Sequence, residues 1–214
     1  MSNTTTEILD GVPIQIEKSS FRLTDDELDV ILNTNYFQPS HNRITETCFL
    51  LKDPRLIRVR NFLDERMNNY IENVIQINDK FVMTQSWSTI TKKGEHHHLH
   101  DHPNTIFSLI FYVSSQGAKS GNIVFDFRPS RLTENWNFAF NIKEYNPFNS
   151  DTWEYSVNTG DLVIFPSWIP HKTRENYSNN DRIIIGANYF INGNIGSTRG
   201  IDKIHIQLRD VDDD

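Results

Sequence analysis

The sequence is poor in cysteine and has neither a long apolar run nor a run of basic residues. Its single cysteine, Cys48, excludes an intramolecular disulfide, which suits a reducing compartment. No apolar stretch approaches the length of a membrane span, and the first residues lack the basic and apolar parts of a signal peptide. We therefore expect a soluble, cytoplasmic protein without a membrane partner.

Positive charge is also scarce. The chain has 21 Lys and Arg against 28 Asp and Glu, which gives a formal net charge of -7. Lys92 and Lys93 form the longest basic run, whereas proteins that bind the phosphate backbone carry clustered Lys and Arg. Nucleic acid is therefore a poor candidate partner.

The apolar content is sufficient for a folded core. Apolar residues make up 37% of the 214 residues and aromatic residues 12%, which argues against wholesale disorder. All-β folds often fill a chain of this length as one domain, and no Gly-, Ser- or Pro-rich linker divides the sequence. We expect a single domain over residues 1–214.

Two helices are predicted in the N-terminal part. Thr24 and Glu27 have the spacing of a capping box, which predicts a short helix over about residues 24–33. Asp53 and Pro54 then have the pattern of an N-cap and first helical residue, and apolar residues recur at helical spacing as far as Val74. The apolar face of this second helix needs a sheet to pack against.

From Phe81 onward the pattern changes to short β-branched and aromatic runs separated by turn residues. These runs are FVMTQSWSTIT, TIFSLIFYVS, GNIVFDF, TWEYSV, GDLVIFP and DRIIIGANYFI, and they predict a β-sandwich or barrel. Residues 129–150 form a long connection that is rich in aromatic residues. Connections of that length are either functional or simply mobile, so this one is a candidate lid over a pocket, a homodimer contact or a mobile loop.

A histidine cluster stands in the stretch GEHHHLHDHPNT. Five of the eight histidines lie between residues 96 and 102. In an extended strand alternate side chains share a face, so the even-numbered histidines, His96, His98, His100 and His102, would lie together. A His-x-His pair is then placed to chelate a metal ion, but a mononuclear iron or zinc centre wants a third ligand. The remaining histidines are His41, His171 and His205.

His171 stands out among these three because of its neighbours, although a lone histidine at such a position is more often structural or exposed. It follows a predicted buried strand, Leu162 to Phe165, in GDLVIFPSWIPHKTRENYSNNDRIIIG, and Arg182 stands eleven positions later at the start of another apolar strand. A guanidinium at the mouth of an apolar sheet requires a carboxylate, from an acidic side chain or from an acidic ligand.

These motifs together resemble the 2OG-Fe(II) oxygenase family. SWSTITKKGEHHHLHDHPNTIFSLIFYV followed by GDLVIFPSWIPHKTRENYSNNDRIIIGANY is similar to a subgroup that has H-x-H-P, G-x-L-x-x-F-P-S-W-x-x-H and a downstream arginine. The resemblance implies a mainly β fold, a double-stranded β-helix of the jelly-roll or cupin-like type over residues 81–192. Residues 1–80 would supply helical and strand support packed on one sheet, and residues 193–214 a C-terminal extension.

The resemblance also implies the site and the reaction. His100, His102 and His171 would bind Fe(II), and Arg182 would pair with the distal carboxylate of 2-oxoglutarate. The enzyme would be an oxygenase of EC type 1.14.11, which hydroxylates a substrate while 2-oxoglutarate is decarboxylated to succinate. The other clustered histidines, at positions 96, 97 and 98, have no role in the family.

Two features depart from the family pattern. Most of the wider superfamily uses one carboxylate beside two histidines, which makes Asp101 the competitor of His102, although strand alternation places the two on opposite faces. Ile184 stands where the family often has a serine that bonds the cosubstrate. Ser108, Tyr112 or Asn104 would then have to supply that hydrogen bond.

Two alternative functions remain open from the sequence. A metal-binding cupin of other chemistry fits the glycine and histidine spacing, although the glutamate of the first cupin motif is absent and Ile106 and Phe107 stand in its place. A non-catalytic β-sandwich with a pH-sensitive histidine patch is the second alternative. The substrate is unidentified, and a small molecule or a protein side chain fits the family equally well.

Overall fold

The computed structural model describes residues 11–39, 41–127, 140–146, 149–196 and 203–208. These residues are mainly β with two α-helices, as the sequence predicted, and their strands form three antiparallel sheets. Most of the connection at 129–150, with Trp136, Phe138 and Phe148, lies outside the described residues.

The first helix, α1, spans Asp25–Leu32. Thr24 caps it as predicted: its side chain accepts a hydrogen bond from the backbone N–H of Glu27, and the carboxylate of Glu27 accepts one from the N–H of Thr24. Arg58, on the second helix, also donates to the carboxylate of Glu27. This contact ties α1 to the helix that covers the sheet.

The second helix, α2, spans Ile57–Tyr70 and is shorter at both ends than the sequence predicted. Asp53 caps a 3-10 turn at Pro54–Leu56 before the helix, and a π-type turn at Ile71–Ile75 follows it. The apolar side chains of Leu63, Met67 and Tyr70 on α2 are fully buried in a core cluster that α2 shares with the main sheet. The predicted packing of the helices on one sheet is therefore present.

The main sheet has seven strands, which are β1 Gln15–Lys18, β2 Tyr36–Phe37, β3 Arg43–Thr45, β4 Phe81–Thr91, β5 Phe107–Ser114, β8 Asp161–Pro166 and β10 Arg182–Ile191. Their order across the sheet is β1-β8-β5-β10-β4-β3-β2. All of their pairings are antiparallel, and β10 pairs with β4 on one side and β5 on the other. This central position places the start of β10, at Arg182, inside the molecule.

A smaller sheet covers the other face of the main sheet. Its strands are β7 Thr152–Tyr155, β6 Ile123–Asp126 and β9 His171–Thr173, in that order. Side chains alternate along β5, so that Leu109 and Phe111 join the core under the helices while Ile110 and Tyr112 join the core between the two sheets. This two-sheet arrangement is the jelly roll that the resemblance implied.

Several short strands escaped the sequence analysis. They are β1, β2, β3, β9 and a separate pair, β11 Gly193–Ile195 with β12 Ile204–Ile206. Each has two to four residues, and most of their positions are half-buried or exposed, so they lack a run of alternating apolar residues. The strand that contains His171 is one of them.

Candidate metal centre

The histidine stretch is an irregular segment that runs antiparallel to residues 171–176. Its backbone contacts include His97 with Thr173, and His100 with His171. Between these two contacts the histidine segment has three residue steps, from 97 to 100, whereas its partner has two, from 173 to 171. The histidine segment therefore contains one extra residue. The prediction that the even-numbered histidines share a face is therefore wrong, because the insertion brings His97 to the side of His100.

Three imidazoles converge where this segment meets β9. His171 begins β9 and is 3% exposed, and His100 and His102 are half-buried. One ligand atom from each of these three side chains lies within 4.8 Å of the other two. The structure thus brings together the three residues that the sequence analysis selected.

Hydrogen bonds fix the tautomer of each of these rings. Nδ1 of His100 lies 2.9 Å from the carbonyl oxygen of His98, and Nδ1 of His171 lies 3.0 Å from that of Ile169. Nδ1 of His102 lies 2.9 Å from Oδ1 of Asn188. Carbonyl and amide oxygens only accept, so each Nδ1 carries the proton and each Nε2 keeps a free lone pair.

The Nε2 atoms of His100 and His102 are 3.3 Å apart. Neither atom carries a proton in the tautomers just assigned, so no hydrogen bond joins them and their lone pairs repel each other. Two nitrogens bound to one ion at about 2.1 Å lie roughly 3.0–3.4 Å apart. The separation is therefore the one expected of two ligands on a shared cation.

Burial keeps the three rings neutral. It lowers the pKa of His102 to about 4 and places the pKa of His171 well below its usual value of 6.5. The pKa of His100 is also lowered, mainly by burial. Neutral imidazole is the form that binds a metal, so the site is ready for an ion at neutral pH.

A polar network holds His102 from behind. Oγ of Ser108 lies 2.7 Å from Nδ1 of His102 and 2.8 Å from Oδ1 of Asn188, and Oγ of Ser167 lies 2.8 Å from Oγ of Ser108. The amide of Asn188 donates in turn to Oε1 of Gln85 at 2.8 Å. Ser108 therefore contacts the back of the imidazole, away from the cavity in which the sequence analysis expected it to bind the cosubstrate.

Arg182 is buried beside the histidines. It is 2% exposed, and its Nη1 donates to the carbonyl oxygens of Ser120 at 2.6 Å and Gly121 at 3.2 Å. Its Nη2 donates to the hydroxyl oxygens of Thr173 at 2.7 Å and Thr91 at 3.2 Å. Within the described part of the chain, no carboxylate forms an ion pair with this guanidinium, so its charge is left for an acidic ligand.

One cavity connects Arg182 with the metal-ligand candidates. The Arg182 cavity contains about 460 Å³ free of protein atoms, including its open mouth. Its lining includes Thr91, Tyr112 and Thr173 beside the arginine, and the three histidines at its other end. The two threonine hydroxyls accept from Arg182, which leaves their own protons for a carboxylate, and burial raises the pKa of Tyr112 so that its hydroxyl remains a donor.

The other predicted site residues lie elsewhere. Asp101 and Asn104 are exposed, and Asn104 has a φ of 58°, in the left-handed region. Neither of them lines the Arg182 cavity. His41 stacks on His96, and His205 lies on β12 beside Asn194.

A second group of three histidines overlaps the first. His97, His98 and His100 also have ligand atoms within 4.8 Å of one another. His98 is exposed, and the ring of His97 stacks on that of His100 at 4.3 Å. This group shares His100 with the first, and a neutral imidazole has only one free lone pair, so the two groups are alternatives. The first group is the more buried and includes His171.

Three further residues of the site escaped the sequence analysis. They are His97, Asn188 and Thr173. His97 lines the Arg182 cavity because of the inserted residue, which the sequence does not reveal. The sequence could have revealed Asn188, because it is a single polar residue that interrupts the apolar pattern of IIIGANYFI.

The comparisons with known proteins bear on this site. Residues 85–188 match the sequence model of the family described as "Putative 2OG-Fe(II) oxygenase", whose members use Fe(II) and 2-oxoglutarate. The match includes all of the candidate ligands and Arg182. No curated protein matches the sequence.

Solved structures with the same fold are distant in sequence. HygX from Streptomyces hygroscopicus with nickel, 2-oxoglutarate and hygromycin B bound is 14% identical, with a TM-score of 0.57, 83% of this chain covered and 82% of that chain. SnoK, a non-heme alpha ketoglutarate dependent carbocyclase from nogalamycin biosynthesis, is 10% identical, with a TM-score of 0.58 and coverages of 89% and 84%. An oxidoreductase of the 2OG-Fe(II) oxygenase family from Burkholderia pseudomallei is 11% identical, with a TM-score of 0.53 and coverages of 75% and 74%. They share the double-stranded β-helix with this chain.

No helix in the described part of the chain combines the length and the apolar character needed to cross a bilayer.

Proposed function

We propose that this chain, whose residues 85–188 match the model of the 2OG-Fe(II) oxygenase family, is an Fe(II)/2-oxoglutarate-dependent oxygenase with His100, His102 and His171 as metal ligands. The observation that carries the ligand assignment is the 3.3 Å separation of two unprotonated nitrogens, Nε2 of His100 and Nε2 of His102. A cation between them removes the repulsion. Three neutral nitrogens suit Fe(II), for which imidazole is a common ligand.

The chain positions the metal ligands through their Nδ1 atoms. The backbone carbonyls of His98 and Ile169 orient His100 and His171, and Ser108 with Asn188 orients His102. Hydrogen bonds of this kind fix both the ring plane and the tautomer of a metal-binding histidine. Ser108 and Asn188 are therefore positioning residues, and they do not contact the reacting atoms.

Arg182 is the proposed partner of the distal carboxylate of 2-oxoglutarate. Its guanidinium lies in the same cavity as the three histidines, and burial lowers its pKa by disfavouring the uncompensated charge. A carboxylate ligand would restore that charge balance, and Thr91, Thr173 and Tyr112 would donate to the same carboxylate. When bound, Fe(II) and 2-oxoglutarate supply the oxidising chemistry, in which dioxygen is consumed, succinate is formed and a substrate C–H bond is hydroxylated.

The substrate is proposed to be a small molecule. HygX, which has the same fold, has been crystallised with hygromycin B bound. In the present chain His97, His100 and His102 line an open cleft with about 790 Å³ free of protein atoms, its mouth included. A protein side chain remains the second candidate. The exposed thiol of Cys48 suits a reducing compartment such as the cytoplasm, and the chain's excess of acidic residues disfavours nucleic acid.

Thermal unfolding of untagged protein tests the proposed function without a substrate. We expect Ni²⁺ or Mn²⁺ to raise Tm, and 2-oxoglutarate or N-oxalylglycine to raise it further only when the metal is present. The control ligand is 2-oxobutyrate, which has the same chelating end but no distal carboxylate for Arg182. Equal stabilisation by 2-oxoglutarate and 2-oxobutyrate would contradict the arginine assignment, and no response to 2-oxoglutarate would favour a cupin of other chemistry.

A further inference from the structure

A second opening of the structure is lined by three of the same histidines. This outer cleft contains about 790 Å³ free of protein atoms, including its open mouth. Phe37, Ile44, Glu46 and Gln85 are among the residues that line it, and it shares Trp87, His97, His100 and His102 with the Arg182 cavity. A molecule in the outer cleft would therefore meet the proposed metal beside the cosubstrate rather than in its place.

The two openings have opposite charge. The Arg182 cavity is lined by Lys172 and Arg182, both cationic, and by no carboxylate of the described residues. Among the described residues that line the outer cleft, Glu46 has the only carboxylate, and none is Lys or Arg. Glu46 is exposed, and within the described ranges no cationic side chain forms an ion pair with it. Its charge is available to a ligand.

Apolar surface lines the same cleft. Phe37 lies on β2, at the edge of the main sheet, and is 47% exposed. The indole of Trp87 lies over Gly186 on the neighbouring strand, where an added Cβ would stand 2.5 Å from the indole carbons. Gly186 thus lets Trp87 lie flat as a rigid wall, and its ring meets that of His102 edge-on at 5.4 Å. A planar or aliphatic group would cover apolar surface here.

Gln85 connects the outer cleft with a proposed ligand. Its Oε1 accepts from Asn188, whose own Oδ1 lies 2.9 Å from Nδ1 of His102. A molecule in the cleft that contacts Gln85 therefore touches the network that orients His102. The outer cleft is therefore adjacent to the hydrogen-bond network of a proposed metal ligand.

We propose that the outer cleft binds the molecule to be oxidised, and that this molecule combines an apolar group with a protonated amine that faces Glu46. This proposal rests on the proposed function, because only an oxygenase would oxidise the bound molecule. Its binding claim does not depend on the metal, because the cleft exists without one. An anionic substrate is disfavoured here by Glu46 and by the formal net charge of -7.

Binding of two matched probes tests the proposal. The probes are 3-phenylpropan-1-amine and 3-phenylpropan-1-ol, which have the same apolar part and differ in charge, and Kd is measured by saturation-transfer NMR. We expect the amine to bind roughly fivefold more tightly than the alcohol, the size of an exposed charge pair. Glu46→Gln should bring the ratio near one, and Phe37→Ala should weaken both probes alike.

Glu72→Gln is the matched control, because Glu72 is an exposed glutamate that does not line the cleft. It should leave the ratio unchanged. Equal binding of amine and alcohol by the wild type, no binding of either probe, or a preference that survives Glu46→Gln would overturn the proposal. Each titration is made with metal-free protein and again with Ni²⁺ and 2-oxoglutarate. If the protein did not bind Ni²⁺, that result would count against the proposed function. The probe affinities of the metal-free protein would still test the amine proposal.

Discussion

His100 and His171 face each other across an antiparallel bridge, although seventy-one positions separate them in the chain. The N–H of His100 donates to the carbonyl oxygen of His171 at 3.0 Å, and the N–H of His171 donates to that of His100 at 2.8 Å. The ring centroids are 4.4 Å apart. The backbone itself therefore sets the distance between these two imidazoles, before any metal is bound.

Removal of His171 should strongly weaken metal binding. It is the most buried of the three proposed ligands, and the other two residues of β9, Lys172 and Thr173, carry no imidazole. We expect His171→Ala to weaken Ni²⁺ or Fe²⁺ binding on the order of 100-fold or more, measured by calorimetry on untagged protein. His205→Ala, on the distant strand β12, should bind as the wild type does. Full metal occupancy in His171→Ala would remove this residue from the ligand set.

Asp101 and His102 can be separated by one pair of variants. Asp101 is exposed and does not line the Arg182 cavity, whereas His102 has Nε2 directed at Nε2 of His100. We expect Asp101→Ala to keep the wild-type metal affinity and His102→Ala to lose it. The reverse result would show that the carboxylate is the ligand.

The network behind His102 should tune the metal affinity without supplying a ligand. Ser108→Ala removes the hydroxyl at 2.7 Å from Nδ1 of His102 but leaves the amide oxygen of Asn188 in place. We expect roughly tenfold weaker metal binding, as is typical when a hydrogen-bond partner of a ligand is lost. If Ser108 instead bound the cosubstrate directly, Ser108→Ala would raise KM for 2-oxoglutarate and leave the metal affinity unchanged.

A side chain at position 186 should destabilise the protein. Alanine at this position places a methyl group against Trp87, whose indole lines both openings of the site. We expect Gly186→Ala to lower the free energy of unfolding by about 1–3 kcal/mol and to shift the tryptophan emission. Wild-type stability and emission would mean that the indole does not lie over Gly186 in solution.

The metal-free protein should lose stability as the pH falls below 6.5. Burial lowers the pKa of His102 from 6.5 to about 4 and that of His97 to about 2, so the unfolded chain takes up protons on these rings before the folded chain does. The free energy of unfolding should then fall by up to roughly 1 kcal/mol per pH unit for each such histidine. Urea unfolding at pH 7, 6 and 5 measures it.

His97→Gln should reduce this dependence, because it removes one of the buried rings. Most carboxylates titrate below this range, so they contribute little between pH 7 and 5. A free energy of unfolding that stays constant or rises from pH 7 to pH 5 would contradict the buried, neutral state of the histidines.

The sequence predicted the long elements well and the short ones poorly. The run from Phe81 to Thr91 has the composition of a strand and is one, and the capping pair Thr24 and Glu27 marks the start of α1. Strand β9 has only three residues, and its pairing with β6 depends on contacts far along the chain. No local pattern encodes such a strand.

The residues of the candidate site were also predicted only in part. The resemblance to the family implied His100, His102, His171 and Arg182 as site residues, and the structure places them around one cavity. His97 was set aside, with His96 and His98, because the family gives these positions no role. It lines the cavity because of the inserted residue before His100, which arises from pairing with residues 171–173 and is not specified by the local sequence. Ser108 was predicted to bind the cosubstrate, but its hydroxyl contacts Nδ1 of His102 and it does not line the Arg182 cavity, an orientation that depends on its three-dimensional neighbours.

A crystal structure of the protein grown with Ni²⁺ and 2-oxoglutarate tests the central claim most directly. The account predicts one ion bound by Nε2 of His100, His102 and His171, with the distal carboxylate of 2-oxoglutarate on the guanidinium of Arg182. An ion held by His97, His98 and His100 instead, or a cosubstrate that does not touch Arg182, would contradict it.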